Sequence, residues 1–349
     1  MFWKSQRKYM IFLIKNKSEG EENLINGKMN VAIIGVGYWG KKIATEYSYL
    51  SKKDAQINLY AVCDVFDENL EFCKEKLEIP HQTKSLKEIF ENDEIDAVHI
   101  CTPSETHYEI CKEALEHGKH VTVEKPMTLN SLEAIKLVDL AYQKKLVLSV
   151  GHIFRFDAAI EKAKSLLEQG WFGDVYWMKF TWTALMPPMV GRDIITDLAP
   201  HPFDILNFLT NDWPNKVTCV AKAHRKGQQE ETAHITCEFP NNLLAHIEVS
   251  WLNPERKREV QIMGSERFTK IDCVTQKITG YENEKFFDMP NVRSNTIGDE
   301  LSYFVNCVRQ QTSNQVSVNK NNGLVGANVV KLLELTKKSM INQRTEPVQ

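Results

Sequence analysis

The sequence contains no C-x-x-C pair, although it carries eight cysteines, at positions 63, 73, 101, 111, 219, 237, 273 and 307. Several lie inside apolar runs, where a free cysteine behaves as a small hydrophobe. The expectation is a reducing, cytoplasmic protein with no metal site and no disulfide framework. Long apolar runs are missing as well. The run Tyr9 to Ile14, preceded by Lys4, Arg7 and Lys8, is too short to span a bilayer. It meets Lys15 at once and has no small-residue cleavage site, which argues against a signal peptide. A strong charge of either sign is absent, with 43 Lys and Arg mixed among 46 Asp and Glu and a net charge of -3. Such a chain offers no field suited to nucleic acid or to an anionic membrane, so a small neutral or anionic ligand is the expected partner. Internal repeats and low-complexity segments are also lacking.

What is present is 349 residues with 42% hydrophobic and 26% charged content, the balance of a soluble globular protein. That length exceeds what one core normally supports, so two domains are expected. Residues 15–28 are polar and patternless, and Met29 sits directly before the first strand. Residues 1–28 therefore read as an extension, disordered or a misassigned start. A nucleotide-binding domain over 29–150 follows, then an α+β domain over 151–349 for substrate and self-association.

The run Asn30 to Ile34 is of strand length and leads without a gap into Gly35-Val36-Gly37-Tyr38-Trp39-Gly40 and a helical stretch through Leu50. Strand, G-x-G-x-x-G, helix is the order that binds a dinucleotide. The first glycine permits the tight turn, the second lets backbone approach a pyrophosphate, and the third lets helix pack on strand. The next strand, Ile57 to Cys63, ends at Asp64, 24 residues after Gly40. An acid there suits a ribose 2′-hydroxyl and repels a 2′-phosphate, and neither Val65 nor Phe66 supplies an arginine, so NAD is preferred over NADP. Asp64 also suits a cap for the following helix.

Helices at Asp67–Leu77, Leu86–Phe90 and Ser104–His117 alternate with the strand Ala97–Cys101, which implies a doubly wound parallel sheet. Thr102-Pro103 closes that strand. His99 reads as a core histidine satisfied by its neighbours, while His107 suits either the cofactor or solvent. Val121-Thr122-Val123 then forms a buried strand that Glu124-Lys125-Pro126 ends, because proline cannot donate to a ladder and restricts the residue before it. Lys125 is thus placed at the carboxyl edge where such sheets bind ligands. A helix from Ser131 to Lys144 and a strand from Leu146 to Val150 complete this domain. His152 and Arg155 follow, with Arg155 able to pair with Asp157.

Beyond a helix at Asp157–Gln169, long alternating strands (175–184, 216–225, 232–239, 243–251, 259–263) run with few helices between them, which indicates a mainly antiparallel open sheet. Tyr176, Met178, Phe180 and Trp182 share one face that packs on helices. The opposite face, with Thr232, His234, Thr236, Glu238, His246, Glu248 and Ser250, meets solvent or another subunit, and a homodimer or homotetramer through this sheet is the expected assembly. Helices at 299–310 and 323–341 close the fold, and the tail after Asn342 reads as loose. Between the first two of these strands lies the segment from Arg192 to Asp204, where Pro200 and Pro202 force a helix to begin. Asp197 and His201 flank that entry turn.

Gly35 to Gly40, Thr102-Pro103, Glu124-Lys125-Pro126, and Asp197 with His201 together resemble the Gfo/Idh/MocA oxidoreductase family, from about Met29 to the C-terminal helices. The resemblance implies an NAD(P)-dependent dehydrogenase of sugars, cyclitols or nucleotide sugars, with Lys125, Asp197 and His201 as the catalytic group. Gly35, Gly37, Tyr38, Trp39, Gly40, Asp64, Thr102, Pro103, His107, Glu124 and Lys125 would then face the cofactor, and His152, Arg155, Trp182 and Arg192 are the substrate-contact candidates. Either Lys125 or His201 suits the general base, an imidazole titrating near neutrality. A keto-sugar reductase and a non-catalytic NAD and sugar sensor are the alternatives.

Overall fold

The computed structural model describes residues 28–189, 191–290, 293–312 and 319–348, so the expectation for 1–28 falls outside it apart from Lys28. Within it the chain forms two compact units, one of residues up to Gly151 with Ile297–Ala327, the other of His152–Thr296 with Asn328–Val348. All eight cysteines are free. No helix of the described residues is long and apolar enough to cross a membrane.

In the first unit the apolar runs become strands β1 (Met29–Ile34), β2 (Ile57–Cys63), β3 (His81–Thr83), β4 (Ala97–Ile100), β5 (His120–Val123) and β6 (Leu148–Val150). Between them lie helices α1 (Tyr38–Lys53), α2 (Asp67–Leu77), α3 (Leu86–Phe90), α4 (His107–Glu116) and α5 (Ser131–Lys144). The strands pair in parallel in the order β3-β2-β1-β4-β5-β6. Continuously buried β-branched strands such as Ala97–Ile100 and His120–Val123 suit a sheet covered on both faces. Strand order reverses between β1 and β4, and ligands bind outside the strand ends at such a switch point.

Two details differ from the expectation. Strand β3 has no apolar run to announce it, since it is a three-residue edge strand with no fully buried residue. Strand β6 starts at Leu148 rather than Leu146, because the N–H of Leu146 bonds the Ala141 carbonyl at the end of α5 and that of Val147 bonds Nδ1 of His120.

That second bond requires an unprotonated Nδ1, and burial pushes the pKa of His120 from 6.5 down to about 4. The unfolded chain therefore takes up the proton first as pH falls. The contribution to stability is complete above about 6.5, declines between about 6.5 and 4, and amounts to roughly 3 kcal/mol at most. Denaturant melts from pH 7 to 4.5 should show the wild type losing stability more steeply than His120→Gln; parallel curves would refute it.

The second unit begins with a 3₁₀ turn, Ile153–Phe156, and helix α6 (Ala158–Glu168), capped by Asp157, whose Oδ1 accepts from the N–H groups of Ala159 and Ile160. Strand β7 (Val175–Leu185) leads to α7 (Ile194–Leu198) and α8 (Pro200–Thr210), then to β8 (Lys216–Lys222), β9 (Thr232–Glu238), β10 (Leu244–Ser250), β11 (Leu252–Gly264), β12 (Phe268–Asp272), β13 (Lys277–Glu282) and β14 (Lys285–Met289). Helices α9 (Thr296–Thr312) and α10 (Gly323–Asn342) follow, and β15 (Glu346–Pro347) comes last. The nine strands run β14-β13-β12-β11-β7-β10-β9-β8-β15. Every pairing is antiparallel except β10 with β7.

Met178, Phe180 and Trp182 are buried with Ala233, Ile235, Cys237, Val260 and Ile262. Tyr176 departs from its expected place and is 53% exposed, since it is the residue skipped at the register shift between Met263/Trp177 and Gly264/Val175. The tail is not loose either. Glu346 is buried and accepts from Lys338, Asn342 and Arg344, which pins β15 against β8. Helix α9 returns the chain to the first unit: Leu301, Phe304, Val305, Cys307 and Val308 pack with Val31, Ile33 and Tyr47 in its core. The helical period in the sequence shows that α9 is amphipathic but not which sheet it covers.

Candidate active site

The first unit carries the glycine turn and the Glu124-Lys125-Pro126 strand end. Gly35 has φ +87, and a Cβ on it would lie 2.9 Å from the Cys101 and Thr102 backbone. A Cβ on Gly40 would stand 2.0 Å from the Gly35 carbonyl oxygen, while at Gly37 nothing lies within 4 Å. The turn is thus closed on its protein side and open on the other. Helix α1 starts without a side-chain cap and without an acid in its first turn, leaving backbone N–H groups available to an anion.

Asp64 does not cap the following helix, contrary to one reading of the sequence. Its Oδ2 accepts from the N–H of Val36 at 2.7 Å and its Oδ1 from that of Phe66 at 2.9 Å. It braces the glycine turn from the neighbouring strand, and α2 has no side-chain cap. A carboxylate has about four acceptor positions, so room remains for a hydroxyl.

Glu124 is held from three directions. Its Oε1 accepts from Trp39 Nε1 at 2.6 Å and lies 3.5 Å from His99 Nε2. A Cβ at Gly151 would come within 2.8 Å of Oε2. Lys125 follows, half-buried, at the end of β5, and its peptide bond to Pro126 is cis. His107 is neither solvated nor open to a ligand. It is buried, with Nδ1 2.9 Å from the Pro126 carbonyl and Nε2 2.9 Å from the Thr102 carbonyl, so it ties Thr102-Pro103 to Glu124-Lys125-Pro126. Burial lowers its pKa against the pull of the two carbonyls, and a neutral ring donates to one of them at a time. His99 is buried as expected, but among the described residues neither ring nitrogen has a hydrogen-bond partner, and Nε2 faces that Glu124 oxygen at 3.5 Å. Tyr38 is 81% exposed beneath the Lys42 ammonium, which is 4.4 Å from its ring.

The second unit carries Asp197 and His201. Asp193 caps α7, its Oδ1 accepting from the Thr196 N–H and its Oδ2 from Thr196 Oγ1 and Lys337 Nζ, each at 2.8 Å. Asp197 then lies near the end of α7, and His201 is the second residue of α8. Both are half-buried. The His201 ring meets Phe154 edge to face at 5.2 Å, and Phe154 meets Trp182 at 5.3 Å.

Three substrate-contact candidates are drawn into the protein instead. Arg155, 4% exposed, donates from Nε to Asp204 at 2.6 Å and from Nη2 to Asn207 at 2.7 Å. His152 is buried beside the same Asp204 carboxylate at 3.8 Å. Trp182 is 0% exposed and belongs to the sheet core. Arg192 remains exposed. The residue that sequence reasoning passed over is Arg258 of β11, partly buried and within electrostatic reach of Asp197. Its signal was parity: it shares its strand face with Val260 and Ile262, where a core residue belongs.

Comparison with known proteins places these features in a family. Residues 29–152 match the family model described as oxidoreductase family, NAD-binding Rossmann fold, and residues 160–268 match the GFO/IDH/MocA C-terminal domain. The chain is 30% identical over 261 residues to UDP-N-acetylglucosamine 3-dehydrogenase of Acidithiobacillus ferrooxidans, covering 72% of this chain and 77% of that protein. It is 27% identical over 232 residues to myo-inositol 2-dehydrogenase of Thermotoga maritima, covering 64% and 68%. The crystal structure of the Acidithiobacillus enzyme, GnnA, superposes with TM-score 0.79 at 25% identity over 89% of this chain and 97% of that one. The glycine turn, the Glu124-Lys125-Pro126 strand end and the matches of both halves of the chain identify it as a member of the GFO/IDH/MocA oxidoreductase family and an NAD(P)-dependent dehydrogenase.

Proposed function

We propose that this dehydrogenase moves a hydride between a nicotinamide and a secondary alcohol carbon of a sugar, cyclitol or nucleotide sugar, with NAD preferred over NADP. The observation that carries the reading is the clamp on Glu124, which fixes Lys125 at the strand edge beside the glycine turn. The residues present fit a dinucleotide: the turn is open only at Gly37, the first turn of α1 is free of acids, and Asp64 retains acceptor positions. When bound, the nicotinamide supplies or accepts the hydride. Lys125 then donates a hydrogen bond to the oxygen as charge develops there, His201 holds or releases the proton, and Asp197 orients the imidazole. Phe154 fixes the plane of that imidazole by edge contact. The sugar class follows the two dehydrogenases named above, one of a UDP-sugar and one of a cyclitol. The nine-stranded sheet exposes Tyr176, Val220 and Leu244, which suits self-association through that sheet.

The test is NADH formation at 340 nm with a panel of UDP-sugars, free sugars and cyclitols, run also in reverse with keto-sugars. One class should turn over with NAD, and Asp64→Ser should shift the ratio of kcat/KM for NAD over NADP toward NADP by about tenfold or more, the worth of one hydrogen bond to a charged group. No turnover in either direction across the panel, or an unchanged ratio in the variant, would count against the reading.

A further inference from the structure

Arg258 stands opposite Trp182 in the β11–β7 pairing. Opposed residues of a pair project to the same face, so the guanidinium stem rises from the packed face of the sheet. Its Nη1 donates to the carbonyls of Thr183 at 3.1 Å and Lys257 at 2.8 Å. Those contacts brace the register shift between Leu252 and Lys257, but they use one nitrogen of three. Nε and Nη2 donate to no group among the described residues, although an arginine presents five N–H donors in a planar fork. Desolvation first, and Arg256 second, press the pKa of Arg258 down to about 10, with Asp197 acting in the opposite sense. The group stays cationic at neutral pH, half out of water, with part of its fork unused. The aromatic contacts from Trp182 through Phe154 to His201 place it on the same wall as the proposed proton-handling pair.

We propose that Arg258 is a substrate-binding residue that grips an oxyanion, a carboxylate or a phosphate, of the sugar on which Asp197 and His201 act. This rests on the function proposed above. A bidentate guanidinium suits either anion, and a half-desolvated cation rejects a neutral analogue that leaves it unpaired.

The experiment is thermal shift on the NAD-loaded protein with UDP, inorganic pyrophosphate, glucuronate and glucose. At least one oxyanion should raise Tm where glucose does not. A response to UDP and pyrophosphate assigns a phosphate, and a response to glucuronate assigns a carboxylate. Arg258→Gln, whose amide retains a donor for the sheet carbonyls, should weaken that response about 10- to 100-fold, as expected for a lost charge-assisted contact, while the shift from NAD alone is unchanged. Arg258→Lys, which keeps the charge without the fork, should fall between, and it serves if the Gln variant does not fold. No response to any oxyanion, or equal responses in wild type and variants, overturns the proposal and leaves Arg258 as a brace of β7 and β11. NADH formation separates the two readings. Turnover of a neutral sugar with unaltered kcat/KM in Arg258→Gln defeats this inference alone, whereas Arg258-dependent anion binding without turnover defeats the proposed reaction alone.

Discussion

Lys125→Met lowers kcat by about 10²- to 10⁴-fold, the range for removing one positioned proton-handling or oxyanion-stabilising group, while the affinity for NAD changes little. The separation follows from how the first unit is built. In the proposed reading the dinucleotide's phosphates and ribose are held by the glycine turn, the start of α1 and Asp64, while the Lys125 ammonium serves the reacting oxygen. The lysine backbone is fixed by Glu124, which Trp39 and the close approach of Gly151 hold in place, and by Pro126, whose carbonyl meets His107. Methionine keeps the length and the apolar stem and removes only the charge and its donors. Steady-state kcat with the substrate found by the panel, alongside NAD affinity from protein fluorescence, checks both halves. Turnover within a few-fold of wild type would remove Lys125 from the reaction.

Gly40→Ala is expected to cost NAD affinity about a hundredfold or more. Its Cβ would lie 2.0 Å from the Gly35 carbonyl oxygen and 3.4 Å from the Cys101 side chain. Relief requires α1 to move away from β1 or the turn to open. Either displacement withdraws the helix N–H groups from the pyrophosphate, at roughly 1.5–3 kcal/mol for each charge-assisted hydrogen bond lost. Overpacking adds a stability cost of about 1–3 kcal/mol. Calorimetric titration with NAD measures the first and denaturant melts the second. Gly37→Ala provides the contrast, because its Cβ meets no protein atom within 4 Å and any loss there arises against the ligand. Equal, wild-type affinity in both variants would show that the turn tolerates what its geometry forbids.

The first sheet was legible because its strands are continuous apolar runs and its ligand edge is marked by glycine and proline, residues whose backbone constraints act locally. The turn, the end of β5 and the joint between α7 and α8 all follow from such constraints. What escaped depends on partners distant in sequence. Arg155 reads as a substrate contact or a partner of Asp157, whereas its guanidinium donates to Asp204 and Asn207, about fifty residues on. His107 reads equally as ligand or surface until Pro126 and Thr102 are seen on its two nitrogens. Trp182 alternates correctly with Met178 and Phe180, and that same alternation buries it. Arg258 sat in a run of mixed charges, Glu255 to Glu259, where composition concealed a position on the packed face.

The course of α9 has a consequence for how the protein is made. Phe304, Val305 and Val308 complete the core around β1 and Tyr47, so a ribosome that has delivered only the first 151 residues has produced a sheet lacking part of its hydrophobic cover. Synthesis proceeds at about 5–20 residues per second, which leaves that surface waiting for roughly 7–30 seconds while residues 152–296 emerge. Asn328–Val348 of the second unit emerge later still, so neither unit is complete until the C-terminal helices have been made. An N-terminal fragment cut at residue 151 would need a graft of residues 297–308, or a chaperone, to stay in solution.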